Sequence, residues 1–463
     1  MLDELRRQTL DGGIRAAARD AAEQYLQGAS ARRVFPSDEA LARLKELPAT
    51  LPPGPAAPAA ILSLLHVIGS PTTVSQVGGR YFGFVNGGCV PGALAAKWLA
   101  DAWDQNAGLY VMSPIASALE AACESWLVDL LGLPQGTGMG LVGGTSVATL
   151  CGLAAGRDEL LRRAGWDAGA RGLFGAPEIR VVLGAQAHAS VLKALGLLGL
   201  GRERVETAPV DDQGRIDPRR LPRLDGRTLL ILQAGNVSTG AFDPFAAIIP
   251  AAREAGAWVH VDGAFGLWAA ASPRQRGLMT GAEQADSWSV DAHKTLNAPY
   301  DNGLVFCRSR DALANAMRAS GAYFILSEQR DGMLYTPDMS RRARGVELWA
   351  TLLSLGKEGV AELVDGLCAN ARLFGDLLRA EGFTVHNEIV FNQVLVSCDT
   401  EELTRATLDG VQRSGECWCG GTSWNGRAAM RVSVCSFMTT EDDVRRSVRA
   451  FVAARDAAEG KAR

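Results

Sequence analysis

The sequence predicts an α/β protein in which a mostly parallel central sheet is covered by helices, with a helical arm before it and a small α+β domain after it. Three observations predict this. Short β-branched runs at 179–184, 228–235, 257–264 and 303–308 are apolar throughout, as strands covered on both faces are. Stretches rich in Ala and Leu at helical spacing separate them, the alternation that feeds a parallel sheet. Beyond Arg310 the texture changes to long helical stretches and then to the strand-like runs 391–398 and 428–437.

In chain order, residues 1–70 read as the arm, with helical spacing to about residue 45 and then a stretch at 47–60 whose five prolines forbid a regular element. Such a linker is stiff and extended, able to carry the arm onto a second subunit. Residues 71–310 form the large domain and 311–463 the small one. A chain of 463 residues with 47% hydrophobic and 21% charged residues is globular, and its length argues against a single core. Its net charge of −4 is spread without a basic block, which disfavours nucleic acid and membrane surfaces. The first residues mix both charges and do not open as a secretory signal does, so a cytoplasmic location is expected. Nine cysteines lack a disulfide rhythm, and Cys417 and Cys419 have no neighbouring ligand cluster that would hold a metal.

Four features carry chemistry. "LVGGTSVATL" places Gly143 and Gly144 before a helix that opens with Thr145 and Ser146, and bare amides with hydroxyls at a helix N-terminus suit a phosphate. His188 stands between a strand and a helix. Asp262 ends an apolar strand, where a carboxylate needs a cation or a protonated ring nitrogen. His293 and Lys294 follow another apolar run, and a desolvated lysine can give a Schiff base with an aldehyde. Pyridoxal phosphate suits this set: phosphate to the glycine turn, ring nitrogen to Asp262, aldehyde to Lys294.

With "YFGFVNGG", "AHASVLKALGLLGL", "GNVSTGAFDP", "HVDGAFG", "DAHKTLNAPYDNG" and "MRVSVCSF", the chain resembles, over nearly its whole length, the group II pyridoxal-phosphate-dependent amino acid decarboxylases. That resemblance implies fold type I and a homodimer with active sites at the interface. It implies Lys294 as the Schiff-base lysine, Asp262 at the pyridine nitrogen, His188 on one face of the ring and Ala264 on the other. Gly144, Thr145, Ser146 and His293 would surround the phosphate, with Asp291 and Asn236 nearby. Phe82, Phe84 and Asn86 would line the substrate pocket and favour an aromatic or apolar side chain, while Arg431 is a candidate for a carboxylate.

Two departures stand out. Val237 occupies a place where relatives carry a threonine, and the loop that supplies a proton-donating tyrosine is shortened, with Tyr335 the one tyrosine in 327–345. The expected reaction is decarboxylation of an L-amino acid through a Lys294 aldimine and a quinonoid, reprotonated by Tyr335 or His188. Other reactions on the same scaffold remain as alternatives: a carbon–carbon lyase or aldolase, an aminotransferase, or an oxygen-consuming aldehyde-forming enzyme. A protein that binds the cofactor without catalysis is the remaining alternative.

Overall fold

The computed structural model describes residues 1–318, 326 and 328–460. Among the described residues, twelve strands form two sheets. They are β1 (Tyr81–Phe82), β2 (Gly138–Val142), β3 (Arg180–Gly184), β4 (Val205–Ala208), β5 (Thr228–Gln233), β6 (Trp258–Asp262), β7 (Ser287–Asp291), β8 (Gly303–Cys307), β9 (Thr384–Val385), β10 (Gln393–Ser397), β11 (Trp418–Trp424) and β12 (Arg427–Ser433). The large sheet has the order β2-β8-β7-β6-β5-β3-β4. β4, β3, β5, β6 and β7 run parallel, and β8 is antiparallel to both its neighbours.

The sheet is mixed but mostly parallel, as expected, and β5 to β8 are buried at every position. β2, "GMGLV", was not legible as a strand because glycine depresses strand propensity. Gly140 is needed there: a Cβ would run into the backbone of Tyr335.

The helix Thr145–Arg163 crosses this sheet at very short range. A Cβ on Gly152 would lie 2.7 Å from Cε1 of His260. That imidazole is fully buried, Nδ1 sits 2.8 Å from Ser287 Oγ, and burial pushes its pKa down to about 3. Gly152→Ala should therefore overpack the helix against the sheet and cost about 1–3 kcal/mol, read as a lowered thermal midpoint. An unchanged midpoint would mean that the helix can lift without cost.

The small sheet has the order β1-β11-β12-β10-β9. Its strand β1 comes from residues expected in the large domain, paired parallel with β11 through Tyr81 to Trp418 and Phe82 to Cys419. The helix Gly345–Ala380, kinked at Gly356, contributes Leu348 and Leu352 to the large core and Phe374 and Leu378 to the small one. It thus ties the two regions together. Cys417 and Cys419 are fully buried apolar-like thiols of the small core, and burial drives Cys417 up to about 12. In the arm, helices Leu2–Leu10, Gly12–Gln27 and Asp38–Ala42 precede the proline stretch, and Pro58 opens the next helix at its first turn. Among the described residues, no helix is long and apolar enough to cross a membrane.

Candidate active site

The site forms where β2, β6 and β7 end together, as parallel strands require of a ligand crevice. Asp291 is the last residue of β7, and its carboxylate is the hub. Oδ1 accepts from the backbone N–H of Thr145 at 2.6 Å, and Oδ2 pairs with Lys294 Nζ at 2.9 Å. His293 Nε2 lies 3.6 Å from the same Oδ1. A hydrated side chain can stand at the end of an apolar strand because this buried carboxylate meets it there.

The glycine turn and the lysine loop touch backbone to backbone. A Cβ on Gly303 would collide with Gly144, and one on Gly144 would lie 3.4 Å from His293 Cε1. Nδ1 of His293 accepts from Asn302 N–H at 3.0 Å, which leaves Nε2 to carry the proton in the neutral ring. Burial depresses the His293 pKa, with Asp291 opposing it. The Thr145 hydroxyl is buried without a partner among the described residues, and Ser146 beside it is exposed. The orphan Thr145 hydroxyl, the Ser146 amide at the helix N-terminus and a ring N–H around a backbone with no side chain in the way are a fit for a phosphate.

Asp262 ends β6, 5% exposed, and accepts only the Ala264 N–H at 3.2 Å among the described bonds. Burial raises its pKa, while His188 and Lys294 pull the other way. Such a carboxylate fits a protonated ring nitrogen. His188 caps the helix Ala189–Leu197, its Nδ1 bonded to Ser190 Oγ at 2.7 Å. The residue is open to solvent in the single chain, yet the protein around its ring disfavours the imidazolium. Lys294 and Arg431 add to that effect and Asp262 opposes it, leaving the pKa below the ordinary histidine value.

Lys294, Asp291, His293, Thr145, Gly144, Asp262, Ala264 and His188 thus come together. Asn86 joins them, accepting from Tyr300 OH at 2.9 Å, and Tyr300 stacks on His293 with centroids 4.2 Å apart. Phe84 is 61% exposed and stacks on Trp418. It is held out by two successive left-handed residues, Phe84 at φ 52° and Val85 at φ 59°. That conformation is costly for a β-branched residue and typical of functional loops.

Three expected site residues lie elsewhere in this chain. Phe82 is wholly buried in the small core against Phe374, because β1 alternation points it inward, so it lines no pocket. Asn236 spends its side-chain oxygen on the N–H groups of Ser238 and Thr239, closing a turn, and Val237 packs on the large core. Tyr335 lies toward the opposite end of β2, its hydroxyl 3.4 Å from Arg310 and its ring beneath the Arg330 guanidinium. The geometry of one chain does not bring it to Lys294. Ser327, the first residue of its loop, lies outside the described residues. Sequence reading also missed Asn297, Tyr300 and Trp418. The first two stand inside the motif "DAHKTLNAPYDNG", and the third lies between Cys417 and Cys419 where β11 begins.

A profile of the family described as the pyridoxal-dependent decarboxylase conserved domain matches residues 73–398. Tryptophan decarboxylase 1 of Oryza sativa subsp. japonica is 28% identical over 409 residues, spanning 79% of this chain and 78% of that one. Phenylacetaldehyde synthase of Arabidopsis thaliana is 28% identical over 370 residues, 73% of each chain. Acidic amino acid and cysteine sulfinic acid decarboxylases of Mus musculus match at 28% and 27%, each over 68% of this chain and over 59% and 66% of their own. The crystal structure of Oryza sativa TDC with PLP and tryptamine superposes with a TM-score of 0.88 over 98% of both chains, at 24% identity. At that identity the likeness is one of fold.

Proposed function

Because the chain belongs to the pyridoxal-dependent decarboxylase family, with pyridoxal phosphate as the cofactor, we propose that it removes the α-carboxylate of an L-amino acid with an aromatic side chain. The observation that carries the substrate class is the strained loop that holds the Phe84 ring out, stacked on Trp418, beside the lysine turn. A planar side chain gains both apolar burial and stacking there. The names of relatives acting on aromatic substrates add support, while those of the acidic decarboxylases make side-chain charge the variable to test.

When bound, pyridoxal phosphate supplies an electron sink for the charge left as carbon dioxide departs. In this reading Lys294 holds the aldehyde carbon, and Thr145, Ser146 and the His293 Nε2–H hold the phosphate. Asp262 keeps the proton on the ring nitrogen, since a cation opposite it stabilises its buried carboxylate. His188 covers one face of the ring and, neutral at pH 7, is able to accept or return a proton. Arg431, whose Nε is buried without a partner among the described residues, offers a cation for the substrate carboxylate.

Exposed Trp98, Leu99, Trp103, Val111, Met112 and Leu353 make an apolar surface that a homodimer would bury, consistent with a site completed by a second copy. Light scattering should give twice the chain mass. An active monomer would contradict this.

Incubating the holoenzyme with a mixed panel of L-amino acids, with and without oxygen, should yield amines lighter than Trp, Tyr or Phe by one CO2. Consumption of cysteine sulfinate or glutamate alone would overturn the substrate class. The placement of Tyr335 against Arg310 and Arg330 favours one second reading, an oxygen-dependent aldehyde-forming reaction. With oxygen and water consumed, its products would be aldehyde, carbon dioxide, ammonia and hydrogen peroxide in place of amine.

A further inference from the structure

We propose that Asn297 is a positioning residue for Lys294, fixing the lysine's turn against the C-terminal domain and so setting where the amine stands. This rests on the reading that Lys294 holds the cofactor. Asn297 is fully buried at φ 59°, a left-handed conformation that asparagine tolerates better than most side chains.

Its side chain joins three segments. Oδ1 accepts from Gly88 N–H at 2.6 Å and Phe437 N–H at 3.0 Å. Nδ2 faces the carbonyls of Thr295 at 2.8 Å, Cys435 at 2.9 Å and Lys294 itself at 3.2 Å. The backbone N–H of Asn297 also donates to the Lys294 carbonyl at 3.0 Å, and its own carbonyl accepts from Val90. The lysine carbonyl is therefore held from two directions by one residue. The first segment is the lysine turn, the second the loop 86–90, and the third the chain that follows β12, which carries Arg431.

No other side chain fills this role. A carboxylate would keep both acceptor bonds but face three carbonyl oxygens. An aliphatic group would leave buried N–H and C=O groups unpaired, which proteins avoid. The loop comes in close because it has no side chains: a Cβ on Gly88 would lie 2.7 Å from Asn297 Oδ1, and one on Gly87 would collide with the Lys294 carbonyl. The packing thus leaves the lysine turn little room to move once the asparagine is in place. Its removal frees the turn from the 435–437 chain, and with it the distance between the amine and the groups on the small sheet.

Asn387 serves as the matched control. It is 4% exposed and equally engaged, donating to Thr239 and Gln393 and accepting from Leu395, but touches nothing on the lysine turn.

The experiment compares Asn297→Asp, Asn297→Ser and Asn387→Asp with wild type, well below each melting point. Cofactor affinity and attachment rate are read by absorbance titration with pyridoxal phosphate across pH. Asn297 variants should attach the cofactor on the order of 100-fold more slowly, the cost of roughly an ångström of misplacement, and show a displaced pH profile. Asn387→Asp should lower the melting point alone. Asn297→Ser keeps the test open where the aspartate fails to fold. Asn297 variants that melt lower yet attach the cofactor at the wild-type rate and pH would overturn the proposal. Borohydride reduction of the wild-type holoenzyme followed by peptide mapping separates the two readings: a label away from Lys294 overturns the site itself, whatever Asn297 does.

Discussion

Lys294→Ala should bind pyridoxal phosphate without a covalent bond and lose on the order of a thousandfold or more in kcat, the scale of removing a group that forms the covalent intermediate. Borohydride followed by mass mapping should leave the cofactor on the wild-type peptide containing Lys294 and leave the variant unmodified. The structure explains why the loss should be specific. Lys294 lies 2.9 Å from Asp291 Oδ2, and Asp291 keeps its bond to the Thr145 N–H when the amine is gone. The phosphate turn should therefore persist, and weakened non-covalent binding should remain measurable. Losing one partner of a buried pair does carry a stability cost, so the variant should also melt lower. A variant that still carried covalent cofactor would place the attachment at a different lysine.

Much of this site was legible in the chain because its chemistry forces residue types together. Asp262, Lys294, His188 and the Gly143–Gly144 turn each have an ordinary structural explanation, but only a phosphate-bearing pyridine aldehyde asks for all of them. The strand carrying Asp262 was legible for a related physical reason: β6, like its neighbour β5, is buried on both faces and reads as a continuous apolar run, whereas β2 before the glycine turn did not. What escaped was set by tertiary packing. Phe82 and Phe84 are two residues apart and look equivalent in sequence, yet β1 pairing sends Phe82 into the small core. A left-handed turn at Phe84 and Val85 puts the Phe84 ring in the open. Asn236 looked like a cofactor ligand and turned out to close its own turn, the ordinary use of an asparagine side chain. Tyr335 could not be assigned from spacing because the direction of its side chain depends on the Arg310 and Arg330 guanidinium groups around it. Asn297 has no signature at all, since its partners are backbone groups distant in sequence.

Asp262→Asn should separate stability from function. Burial raises the carboxyl pKa above its ordinary 3.8, so the folded apoprotein holds this proton more tightly than the unfolded chain does. A carboxyl shifted upward contributes most to stability at low pH, and that contribution is lost as pH climbs above 3.8 toward the folded value. At neutral pH the apoprotein therefore carries a buried charge that Lys294 and the Ala264 N–H only partly offset, and asparagine removes it at nearly the same volume. The apo variant should melt no lower than wild type at pH 7, and its advantage should shrink as the pH falls toward 4. Cofactor reverses the comparison. A protonated ring nitrogen needs the anion, and an amide cannot hold that proton. The loaded variant should lose on the order of 100- to 1,000-fold in kcat, the scale of deleting one preorganised charge at the reacting centre. Cofactor should also raise its melting point less than it raises that of wild type. Paired melting curves with and without pyridoxal phosphate at pH 5 and pH 7 check both halves. An apo variant that melts well below wild type at pH 7 would show that Asp262 is stabilised by the protein alone and is not awaiting a cation.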